Sequence, residues 1–185
     1  MIVVIRHIVT NTNPTASSVP PERVMRQARA WQRWGLGAGD AVAVLVPVSI
    51  ELAEILLSLL AAGMTAVLAD PAGNIASLVE SFRKARIRAL AGIRRAQLLR
   101  AVSPFLRRLP LKVVCGRALP GEKSWASASA EAPLEAPREW PEEQPALLTF
   151  TTGSSGTPKA VGRTVGFLMI QQDILRRELG LEFYL

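Results

Sequence analysis

The sequence predicts an α/β fold, a mostly parallel sheet with flanking helices. Three observations lead there. Short apolar segments at residues 41–46, 65–68, 88–92 and 112–115 alternate with segments of helical periodicity, and that alternation implies parallel pairing through right-handed crossovers. Residues 41–46 form an unbroken run of small apolar side chains, as in a strand buried on both faces. A chain of 185 residues at 49% hydrophobic composition has enough apolar surface for one core and is no disordered polymer.

The elements follow in order. Pro20 and Pro21 precede a helix over 22–34, with Val24, Ala28 and Trp31 at helical spacing. After the 41–46 strand, Ser49 is placed to cap a helix over 50–62; Glu51 and Glu54 suit its positive end, and Gly63 stops it. A strand over 65–68, a helix over 76–85, a strand over 88–92, a helix over 95–106 and a strand over 112–115 complete the rhythm. The stretch 41–69 is apolar, but Pro47, Glu51, Glu54 and Gly63 interrupt it. Its longest uncharged part is 15 residues, so it reads as β-α-β and not as a membrane span.

Residues 116–145 break the pattern with five prolines and read as a surface connection anchored by Trp125 and Trp140. The chain thus divides into an α/β N-terminal subdomain (1–115), a connecting segment (116–145) and the incomplete start of a second sheet layer (146–185). That last part holds a return strand over 160–164 and a helix over 165–179 capped by Thr164.

Cys115 is the only cysteine and His7 the only histidine, so neither a disulfide nor a zinc cluster is available. No metal ligand and no catalytic residue is assigned. Cys115 reads as a small buried hydrophobe, and His7 as structural or exposed. A reducing, cytoplasmic compartment fits, with no secretory leader at the start.

The net charge is +7, and residues 83–117 hold eleven Lys or Arg and no acid. That block suits a cationic face for nucleic acid, CoA, an acidic carrier protein or lipid headgroups. Its ordinary reading is a solvated face, because the same helices carry Phe82, Ile87, Leu98, Leu99, Phe105 and Leu106. No recognition-helix, RRM or zinc-finger signature is present, so no nucleic-acid partner is expected.

The chemically informative stretch comes late. Ala146-Leu147-Leu148-Thr149-Phe150 gives way to Thr151-Thr152-Gly153-Ser154-Ser155-Gly156-Thr157-Pro158-Lys159. Gly153 and Gly156 allow the backbone to curl closely around an anion. The hydroxyls of Thr151, Thr152, Ser154 and Ser155 can donate to phosphate oxygens. Pro158 disfavours helix in Thr157 and sets the direction in which Lys159 leaves. The order is strand, anion cradle, rigid exit, cation. The spacing is neither that of the Walker loop nor of the dinucleotide fingerprint. The bland alternative for such a composition is a flexible Gly/Ser linker.

This string, entered from a β-run, resembles the phosphate-binding loop of the acyl-adenylate-forming (AMP-binding) superfamily of acyl-CoA synthetases, adenylation domains and luciferases. Upstream, Trp34-Gly35-Leu36-Gly37-Ala38-Gly39-Asp40-Ala41-Val42-Ala43-Val44-Leu45-Val46-Pro47 resembles the family's first G-D-x-V-A strand. The segment from Ser49 to Asp70-Pro71 is similar to its helix, glycine, strand and D-P turn. Residues 91–98 and 162–168 are similar to members acting on fatty-acyl or β-hydroxyacyl chains, including olefin-pathway β-lactone synthetases.

The resemblance implies carboxylate activation with ATP and Mg2+, a carboxylic acid as substrate, and CoA or a complementing C-terminal chain as partner. It implies that Thr151, Thr152, Gly153, Ser154, Ser155, Gly156, Thr157 and Lys159 hold the ATP phosphates. Ala160 and Val165 stand where the family usually has glycine and histidine, which removes a polar group near the expected acyl site. The family's adenine, Mg2+, ribose and catalytic-lysine motifs lie beyond position 185. The resemblance therefore implies a truncated N-terminal portion with little or no turnover alone. The competing expectation is a non-catalytic module that binds an anion or a partner through the loop or the arginine-rich face.

Overall fold

The computed structural model describes residues 19–69, 74–140, 143–152 and 158–179. His7, Asp70, Pro71 and the loop residues Gly153, Ser154, Ser155, Gly156 and Thr157 lie outside the described residues.

Helix α1 (Pro21–Arg33) leads into β1 (Ala41–Leu45), α2 (Ile50–Ala61), β2 (Thr65–Ala69), α3 (Ile75–Lys84) and β3 (Ala89–Ile93). Three one-turn helices follow, α4 (Arg94–Gln97), α5 (Leu99–Val102) and α6 (Pro104–Arg107). The chain continues through β4 (Leu111–Cys115), β5 (Lys123–Ser124), a 3₁₀ segment (Trp125–Ala130), the hairpin strands β6 (Pro145–Thr152) and β7 (Pro158–Thr164), and α7 (Val165–Leu179).

The strands form one seven-stranded sheet in the order β5-β4-β3-β1-β2-β6-β7. Every pairing is parallel except β6 with β7, which is antiparallel. Central β1 sets Val42 beside Ala66 on one side and Ala89 on the other. All five of its residues are buried.

Alternation along the strands produces two cores. Val42, Val44, Ala66, Ala89, Ala91 and Val113 face α1, α2 and Trp125, with Trp31, Ile55 and Leu59 packed against them. Ala43, Leu45, Val67, Leu90 and Phe150 face α3 and α6 through Leu78, Phe82 and Leu106. Trp31 stacks tilted on Trp125 at 5.3 Å between centroids and donates from Nε1 to Ser58 Oγ at 2.9 Å.

Several elements form by the local rules expected of them. Ser49 Oγ accepts from the Leu52 N–H, and the helix it caps ends before Gly63 at φ +75°, a left-handed stop that no β-branched residue would tolerate. Trp125 is buried and Trp140 donates from Nε1 to the Leu60 carbonyl at 2.9 Å, so both indoles anchor the proline-rich segment.

Four expectations need correction. The 95–106 helix is three one-turn pieces, because Ser103, preceding Pro104, is held extended and restarts the chain as a cap whose Oγ accepts from Leu106 N–H. Glu54 does not serve the helix N-terminus: it is buried between helices, bonded to Arg23 at 3.0 Å and to Gln27 Nε2 at 2.9 Å. The 116–145 segment is more than a surface link, since β5 adds an edge strand and the 3₁₀ turn closes one core. Strands β6 and β7 join the same sheet and start no second layer. β6 hydrogen-bonds to β2 with Phe150 level with Ala69, because β2 otherwise leaves an open edge.

At the other edge, the Glu122 carboxylate is 3% exposed and held by Arg94 at 2.9 Å, Arg100 at 2.6 Å and the Leu119 N–H. Burial alone would push its pKa up, but these hydrogen bonds outweigh it and hold the group below 4.5. A carboxylate with a depressed folded pKa stabilises above its unfolded value and loses that contribution as pH falls through the folded one. In urea unfolding, the stability gap between wild type and Glu122→Gln should be full at neutral pH and shrink below pH 4.5; a gap independent of pH would contradict the clasp. A β-carbon at Gly92 would meet Ala96 Cβ at 2.9 Å and the Leu45 carbonyl at 3.0 Å. Gly92→Ala should accordingly cost about 1–3 kcal/mol in the same measurement.

Candidate nucleotide-phosphate site

The parallel strands end together along one edge of the sheet. In such sheets ligands bind beyond the carboxyl ends where successive crossovers diverge to opposite faces. Here β1 is followed by α2 on one face, whereas its neighbours β2 and β3 are followed by α3 and α4–α6 on the other. The crossovers diverge around β1.

The β6–β7 hairpin rises at this same edge. Its register pairs Phe150 with Ala160, Thr151 with Lys159 and Thr152 with Pro158. Of the expected site residues, Thr151 and Thr152 end β6 and Lys159, exposed, is the second residue of β7; the other five lie between Thr152 and Pro158, outside the described residues. The hairpin therefore brings Thr151 and Lys159, eight positions apart in sequence, side by side across the strand pair.

Four features fix the hairpin. Phe150 is buried in the core shared with α3, and Thr65 Oγ1 donates to the Pro145 carbonyl at 2.6 Å at the strand's base. Arg163 donates to Thr149 Oγ1 at 2.9 Å across the two strands. Thr164 Oγ1 accepts from the Phe167 N–H at 3.2 Å, the cap expected for the last helix.

Asn74, absent from the residues expected at this site, begins the helix beside it. Its Oδ1 caps α3 by accepting from the Ala76 N–H at 2.8 Å. Because α3 follows β2, the neighbour of β6, its positive end opens at the edge where the hairpin stands. An Asx residue three positions after the D-P pair was the available signal.

Other motif residues have structural roles. Asp40, in the G-D pair, accepts from the Gly37 N–H at 2.7 Å and faces Arg88 at 3.4 Å, closing the turn before β1. Cys115 ends β4 half-buried, its thiol pushed up from 9.0 to about 11 by burial, with Glu51 and Glu54 adding to the effect. Among the described residues no group of His, Cys, Asp or Glu could hold a metal ion, and no helix is long and apolar enough to cross a membrane.

Residues 21–180 match the AMP-binding enzyme family. The chain belongs to that family. The fold agrees with solved structures. One is described as a long-chain-fatty-acid CoA ligase of Rhodopseudomonas palustris (TM-score 0.76, 18% identity, 97% of this chain and 48% of that one). The amide bond synthetase McbA of Marinactinospora thermotolerans aligns with TM-score 0.78 at 21% identity, over 95% of this chain and 36% of that one. MbtA of Mycobacterium smegmatis aligns with TM-score 0.71 at 28% identity, over 90% and 34%. Among curated proteins none matches. The chain thus spans less than half the length of these structures.

The Cys115 thiol should alkylate about 100-fold more slowly than an unhindered thiol near neutral pH, in proportion to its lost thiolate fraction. Timed iodoacetamide labelling read by mass spectrometry checks this, and rapid labelling would mark the thiol as open and ionised.

Proposed function

We propose that this chain supplies the polyphosphate-gripping part of an ATP-dependent ligase that activates a carboxylic acid as its acyl-adenylate. The observation that carries this reading is the β6–β7 register, which sets Thr151 opposite Lys159 at the base of a Thr/Ser/Gly connection, in a chain of the AMP-binding family.

In the reaction an acid oxygen attacks the α-phosphorus of ATP as the bond to pyrophosphate breaks, so negative charge shifts toward the departing phosphates. Little covalent work falls to the protein, and positioning and charge neutralisation dominate. Thr151, Thr152, Ser154 and Ser155 would donate hydroxyls, and the N–H groups of residues 152–157, Pro-free, would line the β- and γ-phosphates. Lys159 would add the cation. Mg2+ would neutralise phosphate charge, but the described residues offer it no ligand set.

The substrate we assign is a fatty or hydroxy-fatty acid, supported by the likeness of residues 91–98 and 162–168 to such members. In this reading turnover by the chain alone is weak or absent, and a complementing C-terminal region and CoA complete the reaction. The reading also makes the protein cytoplasmic.

Titration of the purified chain with ATP and with pyrophosphate should give saturable binding. Lys159→Ala should weaken it about tenfold, the loss of one charge-assisted contact, and Gly153→Val with Gly156→Val should abolish it while circular dichroism stays unchanged. Affinity indifferent to both changes would remove the loop as the site. ATP–pyrophosphate exchange dependent on a fatty acid should appear with a full-length relative and be weak or missing with this chain.

A further inference from the structure

The arginine-rich block is not a uniform helix face. Leu98 and Val102 stand four residues apart on the α4–α5 run, which turns continuously through the Ala101 N–H to Leu98 carbonyl bond, and are 64% and 65% exposed. Residues four apart share one side of a helix. Leu119, 55% exposed, is tied to this run through Glu122, whose carboxylate accepts from the Leu119 N–H and from the guanidinium groups of Arg94 and Arg100. Three large aliphatic side chains are thus solvent-exposed around one buried clasp.

Exposed Arg95 precedes Leu98, and exposed Arg107 and Arg108 end the three-helix run. None of these three has a carboxylate partner among the described residues. The one acid in the region, Glu122, is outnumbered by Arg94, Arg100 and Lys112 around it. Lys112 is held below its usual pKa by burial and by Arg100, as expected where positive charge is in excess.

An apolar centre set among unpaired cations is the surface chemistry of a protein that rests on an anionic bilayer: the aliphatic side chains enter the acyl boundary while arginines contact headgroup phosphates. Nucleic acid would use the charge but gains nothing from Leu98, Val102 and Leu119. The patch belongs to the β3–β4 end of the sheet, and the hairpin with the phosphate loop is at the other end. We infer that the α4–α6 surface, with Leu119, docks this protein peripherally on membranes rich in anionic lipid. The inference does not depend on the nucleotide reading.

Co-sedimentation of the 185-residue chain with vesicles of phosphatidylcholine alone, or of phosphatidylcholine with phosphatidylserine, tests it. Binding should require phosphatidylserine and weaken as salt is raised toward about 0.5 M, where screening shortens the reach of charge. Replacing Arg95, Arg107 and Arg108 together by Gln should lower the partition coefficient about a hundredfold. Leu98→Ser with Val102→Ser should remove the part of binding that survives high salt. Arg33→Gln removes one positive charge from the opposite helical layer, where Arg33 is exposed and paired with Glu131, and should leave partitioning unchanged, whereas Arg95→Gln alone should lower it several-fold. Equal binding to both vesicles, or none to either, would overturn the inference. So would tight binding to heparin or polyglutamate that competes with vesicles and is indifferent to the Leu98 and Val102 changes, since that would identify a soluble polyanion as the partner.

Discussion

Strand β1 is paired on both edges and covered on both faces, and that enclosure dictates the rest of the fold. Backbone groups of a buried strand need ladder partners, which β2 and β3 supply, and its side chains need apolar cover above and below. No polar residue occurs from Ala41 to Leu45 for that reason. Covering both faces with one continuous chain forces α2 to one side and α3 to the other. The divergence of these crossovers opens the carboxyl edge where the candidate site stands.

Glu54 and the Trp31 indole N–H, taken into the helical layers, each meet a polar partner, whereas Gln27 Oε1 and Trp125 Nε1 are buried without one. Glu54 would be an isolated buried charge without Arg23 and Gln27, and Trp31 Nε1 would be orphaned without Ser58. Removing one member of such a set leaves its partner desolvated and unpaired, which costs more than the contact itself contributes. The Glu122 clasp does the same at the far edge, tying the loop after β4 to α4 and α5. These contacts specify how α1 docks on α2 and how the arginine-bearing run sits over β3 and β4.

The hairpin links this scaffold to chemistry. Pairing of β6 with β2 extends the parallel sheet by one strand, and the antiparallel return through β7 brings Thr151 and Thr152 opposite Lys159 and Pro158. Membership of the AMP-binding family gives that geometry its context.

The sequence by itself determined the α/β class, the order of nearly every element, the Ser49 and Thr164 caps, the indole anchors and the loop string, because each depends on periodicity or on residues adjacent in the chain. Thr151 and Lys159 could be named as candidates, but their direct juxtaposition needed the β6–β7 register. Tertiary structure alone decided that β6 joins the existing sheet, that Glu54 turns inward to Arg23, and that Glu122 gathers two arginines. Each of those outcomes depends on partners distant in sequence, such as Thr149 beside Leu68 or Glu122 beside Arg94. Burial by a distant segment changes the free energy of a strand edge or a carboxylate by more than its local preference does, and no local pattern encodes which segment arrives.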